Sequence, residues 1–144
     1  DLLDTLEPLA RLAARLAAEN CTTDAQRKLM AASAANIDAA TKQRNRGLYL
    51  DRRRQFYDTL IELGGNMELA RAMPLSRTDL FRAQVETIQS ERQRMRHASG
   101  YAKITKAVIE NDPAAAERAV KKHFAGTRQT MQELPPSAFP PADF

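Results

Sequence analysis

Two histidines, one cysteine and a few arginines set among apolar neighbours are the residues from which any chemistry of this 144-residue chain must come. His97, His123 and Cys21 are far apart in sequence, so neither a zinc spacing nor a Cys–His nucleophile pair can be read from them. No G-x-S-x-G, phosphate-cradling loop or H-E-x-x-H occurs. Facing carboxylates of the kind that share general acid and base work are also missing. The chain reads as a binding protein rather than an enzyme, with no catalytic residue.

The informative residues are polar ones on faces that ought to be buried. At helical spacing Tyr49, Arg53, Phe56, Tyr57, Leu60 and Leu63 share one side, with Arg52, Gln55, Asp58, Thr59 and Glu62 opposite. Arg53 falls at the centre of that apolar stripe. A lone guanidinium in a dry core costs several kcal/mol. Arg53 must therefore meet a carboxylate, carry its head to water at the end of a bundle, or line a cavity that admits an anion. On the last helix Ala116, Ala119, Val120, His123, Thr127 and Met131 point inward, and Arg118, Lys121 and Lys122 outward. Tyr101 shares a face with Thr105 and Val108, His97 lies one turn earlier, and Arg92 intrudes beside Phe81, Val85 and Ile88. A single histidine on an apolar face is ordinarily a hydrogen-bonded core residue. Three helices that each turn a polar group inward are what a ligand cavity between bundle helices requires.

These groups need rods to hold them, and the composition supplies rods. Hydrophobic residues make up 43% and charged residues 28%, enough for one folded domain. Aromatics are only 6%, Trp is absent, and paired alanines at 31–32, 34–35 and 39–40 favour helix, which excludes an all-β fold. Leu2, Leu6, Leu9, Ala13 and Leu16 predict a first helix over 2–19. Thr23 with Gln26 forms a capping box that opens a second helix to about Lys42, with Leu29/Met30, Ala34 and Ile37 as its core face. A third begins near Gly47 and stops at Gly64-Gly65. A short turn from Met67 ends at Pro74. Ser76 with Asp79 then restarts a helix carrying Phe81, Val85, Ile88 and Met95, which loosens near Ser99-Gly100. Tyr101 to Glu110 forms the next, and Asp112-Pro113 opens a last helix to about Leu134. Six or seven helices and no strand signal make an all-α antiparallel bundle over 1–134, followed by an extended proline-rich tail over 135–144.

Lys plus Arg is 22 against 18 Asp plus Glu, a net +4 spread along the chain. The basic stretches at 52–54 and 92–96 are not interleaved with aromatics, so they read as solvated helix faces rather than a nucleic-acid platform. One cysteine allows no intrachain disulfide, as suits a reducing cytoplasm. No apolar run reaches the roughly 18 residues of a membrane span, so no membrane partner is expected. Opening at Asp1 without an initiator Met, the chain reads as a piece of a longer protein.

Leu6-Glu7-Pro8 and Leu16-Ala17-Ala18-Glu19 in the first helix, and Phe56 followed by Gly65-Asn66 in the third, form an ordered series with later residues. These are Ile104, Ala107-Val108, the Asn111-Asp112 stop, Ala115-Ala116 and His123. Over about residues 1–127 the series resembles the all-helical FCD domain, the C-terminal ligand-binding domain of GntR-type transcription regulators of the FadR subfamily. Such domains hold a divalent metal with an Asp and a His four residues apart on one helix, a His on a later helix and a His on the last. Those positions fall on Arg53, Tyr57, Tyr101 and His123, and only His123 keeps a ligand type. Arg53 puts fixed positive charge where a carboxylate would balance the metal, and a phenol is a poor substitute for imidazole.

The resemblance, with these departures, implies a pocket without metal or other cofactor. Arg53 clamps a small carboxylate or phosphate metabolite through its bidentate fork, and Tyr57, Tyr101 and His123 form hydrogen-bonding walls. Arg92 and His97 are further lining residues. A homodimer is also implied, as is a winged helix-turn-helix that reads operator DNA from residues upstream of this domain. Two other classes stay open. One is a helical protein-interaction module with no small ligand, in which Arg53 pairs internally with an acid. The other is a small all-helical mutase, which needs several inward cations from different helices.

Overall fold

The computed structural model describes residues 2–138, and every regular element among them is helical. The helices are α1 (Leu2–Asn20), α2 (Asp24–Gln43), α3 (Arg46–Gly64), α4 (Glu68–Ala72), α5 (Leu75–Ile88), α6 (Glu91–Ile109) and α7 (Pro113–Glu133). The expected all-α bundle is what the chain builds. The tail expected to be extended makes a 3-10 turn at Pro136–Ala138, and residues 139–144 of that expectation lie outside the described ones.

Local side-chain chemistry starts and stops most of these elements. The Thr23 hydroxyl accepts from the Gln26 N–H at 3.1 Å while the Gln26 side chain accepts from the Thr23 N–H at 3.0 Å, which opens α2. Asn45 accepts from the Leu48 N–H at 3.0 Å to open α3, and Gly65, at φ 77°, ends it in the left-handed conformation. Asp112 accepts from the Ala115 N–H at 3.0 Å ahead of Pro113. Asn111 folds back from the α6–α7 turn and donates to the Ala18 carbonyl at 2.9 Å, tying that turn to the C-terminal end of α1.

α1 packs on α3 and α7, α2 on α3 and α6, and α6 on α7. The buried face of α1 differs from the leucine stripe its spacing predicts. Ala10, Ala13, Ala14, Ala17 and Ala18 are buried with Leu6, and Leu2, Leu9 and Leu16 are half-buried flanks. Alanine lets the neighbouring backbones come close, and Gly64 shows how close: a Cβ there would lie 2.8 Å from Leu16 Cβ. On α2 the buried residues are Met30, Ser33, Ile37 and Ala40, and Leu29, an expected core residue, is 47% exposed.

The largest departure lies at the α5–α6 junction. The helix expected to run from Ser76 to near Ser99 breaks at Gln89-Ser90, and α6 then continues unbroken through Ser99-Gly100. The cause is a second capping box. Ser90 accepts from the Gln93 N–H at 3.1 Å, and the Gln93 side chain accepts from the Ser90 N–H at 2.8 Å. That restart resets the register, so Met95, Ile88 and Arg92 are exposed and Thr78, Arg82, Val85 and Glu86 form the buried side of α5. α5 starts at Leu75 with no side-chain cap, and Asp79, expected to help open it, is engaged by α3 instead.

Candidate functional site

Four helices deliver polar groups to one region of the interior. α3 contributes Tyr49, Arg53 and Tyr57, α5 contributes Thr78 and Arg82, α6 contributes His97 and Tyr101, and α7 contributes His123 and Thr127. Arg53 is 3% exposed. It donates from Nη1 to Asp79 Oδ1 at 2.9 Å and from Nη2 to Thr78 Oγ1 at 3.3 Å, and its guanidinium carbon lies 5.2 Å from the centre of the Tyr57 ring. Of the fates open to a central guanidinium it takes the carboxylate. Burial opposes its charge, but Tyr101, Tyr57, Tyr49 and the Asp79 carboxylate outweigh that and hold its pKa above the ordinary arginine value. The other Asp79 oxygen takes a hydrogen bond from Arg54.

A second guanidinium, Arg82, is equally buried. Its Nη2 donates to Glu86 Oε1 at 3.2 Å, and its Nε has no partner. Glu86 also accepts from Gln89 at 2.7 Å and from Arg94 at 2.9 Å. Each central arginine thus shares its carboxylate with another arginine. Arg94 also reaches Glu91 at 3.6 Å, but Glu91 is itself paired with Arg44. The network therefore carries more guanidiniums than carboxylates.

Rings complete the cluster. The Tyr49 and Tyr101 hydroxyls are 2.9 Å apart, and His97 Nε2 lies 3.0 Å from the first and 3.1 Å from the second. Thr127 Oγ1 is 3.3 Å from His97 Nδ1. The His97 and His123 rings stack at 4.4 Å between centroids. Burial holds both imidazoles neutral, with the nearby arginine charges acting in the same direction. His97 lies well below its usual pKa, and His123 is pushed down to about 3. The Tyr101 phenol is pushed well above its usual pKa, first by burial and then by Tyr49. His123 Nδ1 is buried without a hydrogen-bond partner, and its ring sits against Gly100, where a Cβ would fall 1.9 Å from that nitrogen.

The space these groups surround is small. It amounts to about 10 Å³, lined by Arg53, Tyr57, Arg82, His97, Tyr101 and His123 among others. That is roughly what one water molecule needs. Five of the six residues singled out from the sequence meet here: Arg53, Tyr57, His97, Tyr101 and His123. Arg92 does not, because the Ser90 cap turns it to the outside of α6. Its place as second cation is held by Arg82. The signal for it was present in the Thr78–Arg82–Val85 face and in a Glu86 four residues on, but the apolar Phe81 and Ile88 drew the stripe to a neighbouring face.

Among the described residues no group of three or more His, Cys, Asp or Glu side chains is placed to hold a metal ion, and no helix is long and apolar enough to cross a membrane. Cys21 is buried, which raises its thiol pKa despite the opposing charge of Arg27. A family model described as FCD domain matches residues 1–126. A search of curated proteins finds no match.

Proposed function

The chain belongs to the FCD domain family, the C-terminal domain of GntR-family regulators, and from that premise we propose that it senses a small carboxylate or phosphate metabolite without a metal. The observation that carries this reading is a surplus of guanidiniums over carboxylates around the centre: buried Arg53 shares Asp79 with the partly exposed Arg54, and buried Arg82 shares Glu86 with Arg94. An anion at the centre would accept from the fork of Arg53 and from the unpartnered Nε of Arg82, leaving Asp79 to Arg54. Neutral His97, His123 and Tyr101 would complete its hydrogen bonds without adding charge.

The donors present do not fit a divalent metal. Two guanidiniums stand in the cluster with two imidazoles and no unshared carboxylate, and fixed positive charge opposes a cation.

A void of about 10 Å³ cannot hold a metabolite. Binding must therefore open the centre by moving Arg53 away from Asp79 and Thr78, the α5 residues it now contacts. An anion shifts the population towards that opened arrangement only to the extent that it binds it more tightly. In this reading the domain is regulatory rather than catalytic and belongs to a FadR-type regulator. It would act in the cytoplasm, pair with a second copy, and pass the shift to the DNA-reading domain of such a regulator.

The Arg53–Asp79 pair favours one other reading, a helical interaction module whose internal cation is already satisfied. Thermal denaturation against a panel of small carboxylates and phosphates separates the two. An anion present at 100 times its Kd adds about 2.7 kcal/mol. Arg53→Lys, which keeps the charge but loses the fork, should abolish most of that gain. A panel in which no anion raises the midpoint leaves the interaction module.

A further inference from the structure

Two spaces in the bundle share one wall. The inner one is the void beside Arg53 and Arg82, and the outer is a notch of about 210 Å³ between α6 and α7. Among the described residues, His123 alone lines both. The notch exists because the two helices meet through small residues. A Cβ on Gly126 would meet nothing nearer than Arg96 Cγ at 3.9 Å, so its floor is open. Its charged lining is Arg96, Lys103 and Lys122, with no carboxylate among the lining residues. Arg96 is held by Thr130 at 2.6 Å and Glu133 at 3.3 Å, whereas Lys103 and Lys122 are exposed and make no ion pair among the described residues.

The partition is loosely tethered. Nδ1 of His123 has no hydrogen-bond partner, and the ring is held by tilted contacts with the His97 and Tyr101 rings at 4.4 and 4.7 Å between centroids. On the notch side it leans on Gly100, where α6 presents no side chain. Swinging the ring aside breaks no hydrogen bond to Nδ1 and joins a cationic mouth to the arginines behind it.

We propose that the α6–α7 notch is the vestibule through which a small oxyanion, phosphate or a short carboxylate, reaches the central arginines, with His123 as the movable partition. This rests on the anion-binding reading of the centre. Positive charge at the mouth of a low-dielectric cleft raises the local concentration of an anion and its rate of entry, and added salt screens the effect.

The chain supplies its own probe. It has three tyrosines and no tryptophan, and Tyr49, Tyr57 and Tyr101 are all buried around this centre, so ultraviolet emission reports on it alone. Quenching by iodide and by uncharged acrylamide is measured on the whole chain, with circular dichroism to confirm folding. His123→Ala should raise quenching by both agents severalfold, and the milder His123→Gln should do so less. In the His123→Ala background, Lys103→Glu with Lys122→Glu should lower iodide quenching at low salt and leave acrylamide unchanged. Gly126→Met, which fills the notch, should lower both. A folded His123→Ala or His123→Gln chain with unchanged quenching overturns the proposal, as does iodide quenching indifferent to the two lysines. If no anion stabilises the chain but iodide follows this pattern, the passage stands and the sensor reading falls. If an anion stabilises it and iodide does not follow, the passage lies elsewhere.

Discussion

Around Ala14, Ala17, Leu60, Val108, Ala116 and Val120 the interior is hydrocarbon, whereas around Arg53, Arg82, His97 and Tyr101 it is a network of shared hydrogens. The same helices run through both regions. α3 turns Leu60 into the first and Arg53 into the second, and α7 does likewise with Ala116 and His123. In the first region fit is a matter of shape, so a lost side chain costs in proportion to the space it leaves. In the second, fit is a matter of partners, and one missing atom leaves a charge buried alone. The hydrocarbon end fixes how far apart the rods stand. The polar end adds the condition that each buried donor and acceptor keeps its partner.

The strongest way to break this contrast is to remove one partner at the polar end. Asp79→Ala leaves Arg53 with Thr78 as its only partner on α5, and should cost about 3–5 kcal/mol by urea denaturation. Adding Arg53→Met should restore most of that loss, since an apolar chain of similar length leaves no charge behind. If the double variant is as unstable as the single one, the pair is not what the polar end depends on. At the hydrocarbon end Leu60→Ala, 1% exposed, should cost about 3 kcal/mol, and no polar rescue exists for it.

Acid sharpens the comparison further. His97 and His123 stay neutral in the folded chain, the second down to about pH 3, while in the unfolded chain both titrate near 6.5. Well above pH 6.5 neither state binds these protons, and the two histidines add no pH dependence. As pH falls below 6.5 the unfolded chain takes up protons first and both histidines lower stability; for His123, held down to about 3, the loss is about 1.4 kcal/mol per pH unit, or roughly 2 kcal/mol at pH 5. His123→Gln should remove its share of the slope between pH 7 and 5, and Leu60→Ala should lower the whole curve without changing its shape. A His123→Gln curve parallel to that of the unaltered chain would show that this imidazole titrates in the fold as it does in the unfolded chain.

What could be read from the sequence follows the same division. The starts of α2 and α7 and the end of α3 were legible because Thr23, Asp112 and Gly65 act on backbone atoms a few residues away. The α5–α6 break was not, because apolar spacing across Val85, Ile88 and Met95 competed with a capping box at Ser90 and Gln93, and the box won. Leucine was a poor guide to the face of α1, since close helix contact selects alanine. Arg53, Tyr57, Tyr101 and His123 were legible as inward residues from period alone. That Arg53 would meet Asp79 was not, because the carboxylate arrives on another helix whose position depends on the whole bundle.

The smallest expected effect tests the border between the regions. Gly126 and Gly100 both interrupt helices that would be more stable with alanine, by about 0.5–1 kcal/mol per site. At Gly126 nothing stands in the way of a Cβ, so Gly126→Ala should raise stability by about that amount in a chemical melt. At Gly100 the same methyl would fall 1.9 Å from His123 Nδ1 and push the ring off its contacts with His97 and Tyr101, so Gly100→Ala should destabilise. The double variant Gly100→Ala with His123→Ala removes the obstacle and should recover the helix-propensity gain. Equal effects at the two glycines would mean that His123 does not rest where the space for it was made. A sign difference between them, relieved by the double variant, would show that α6 keeps Gly100 for the imidazole and not for the helix.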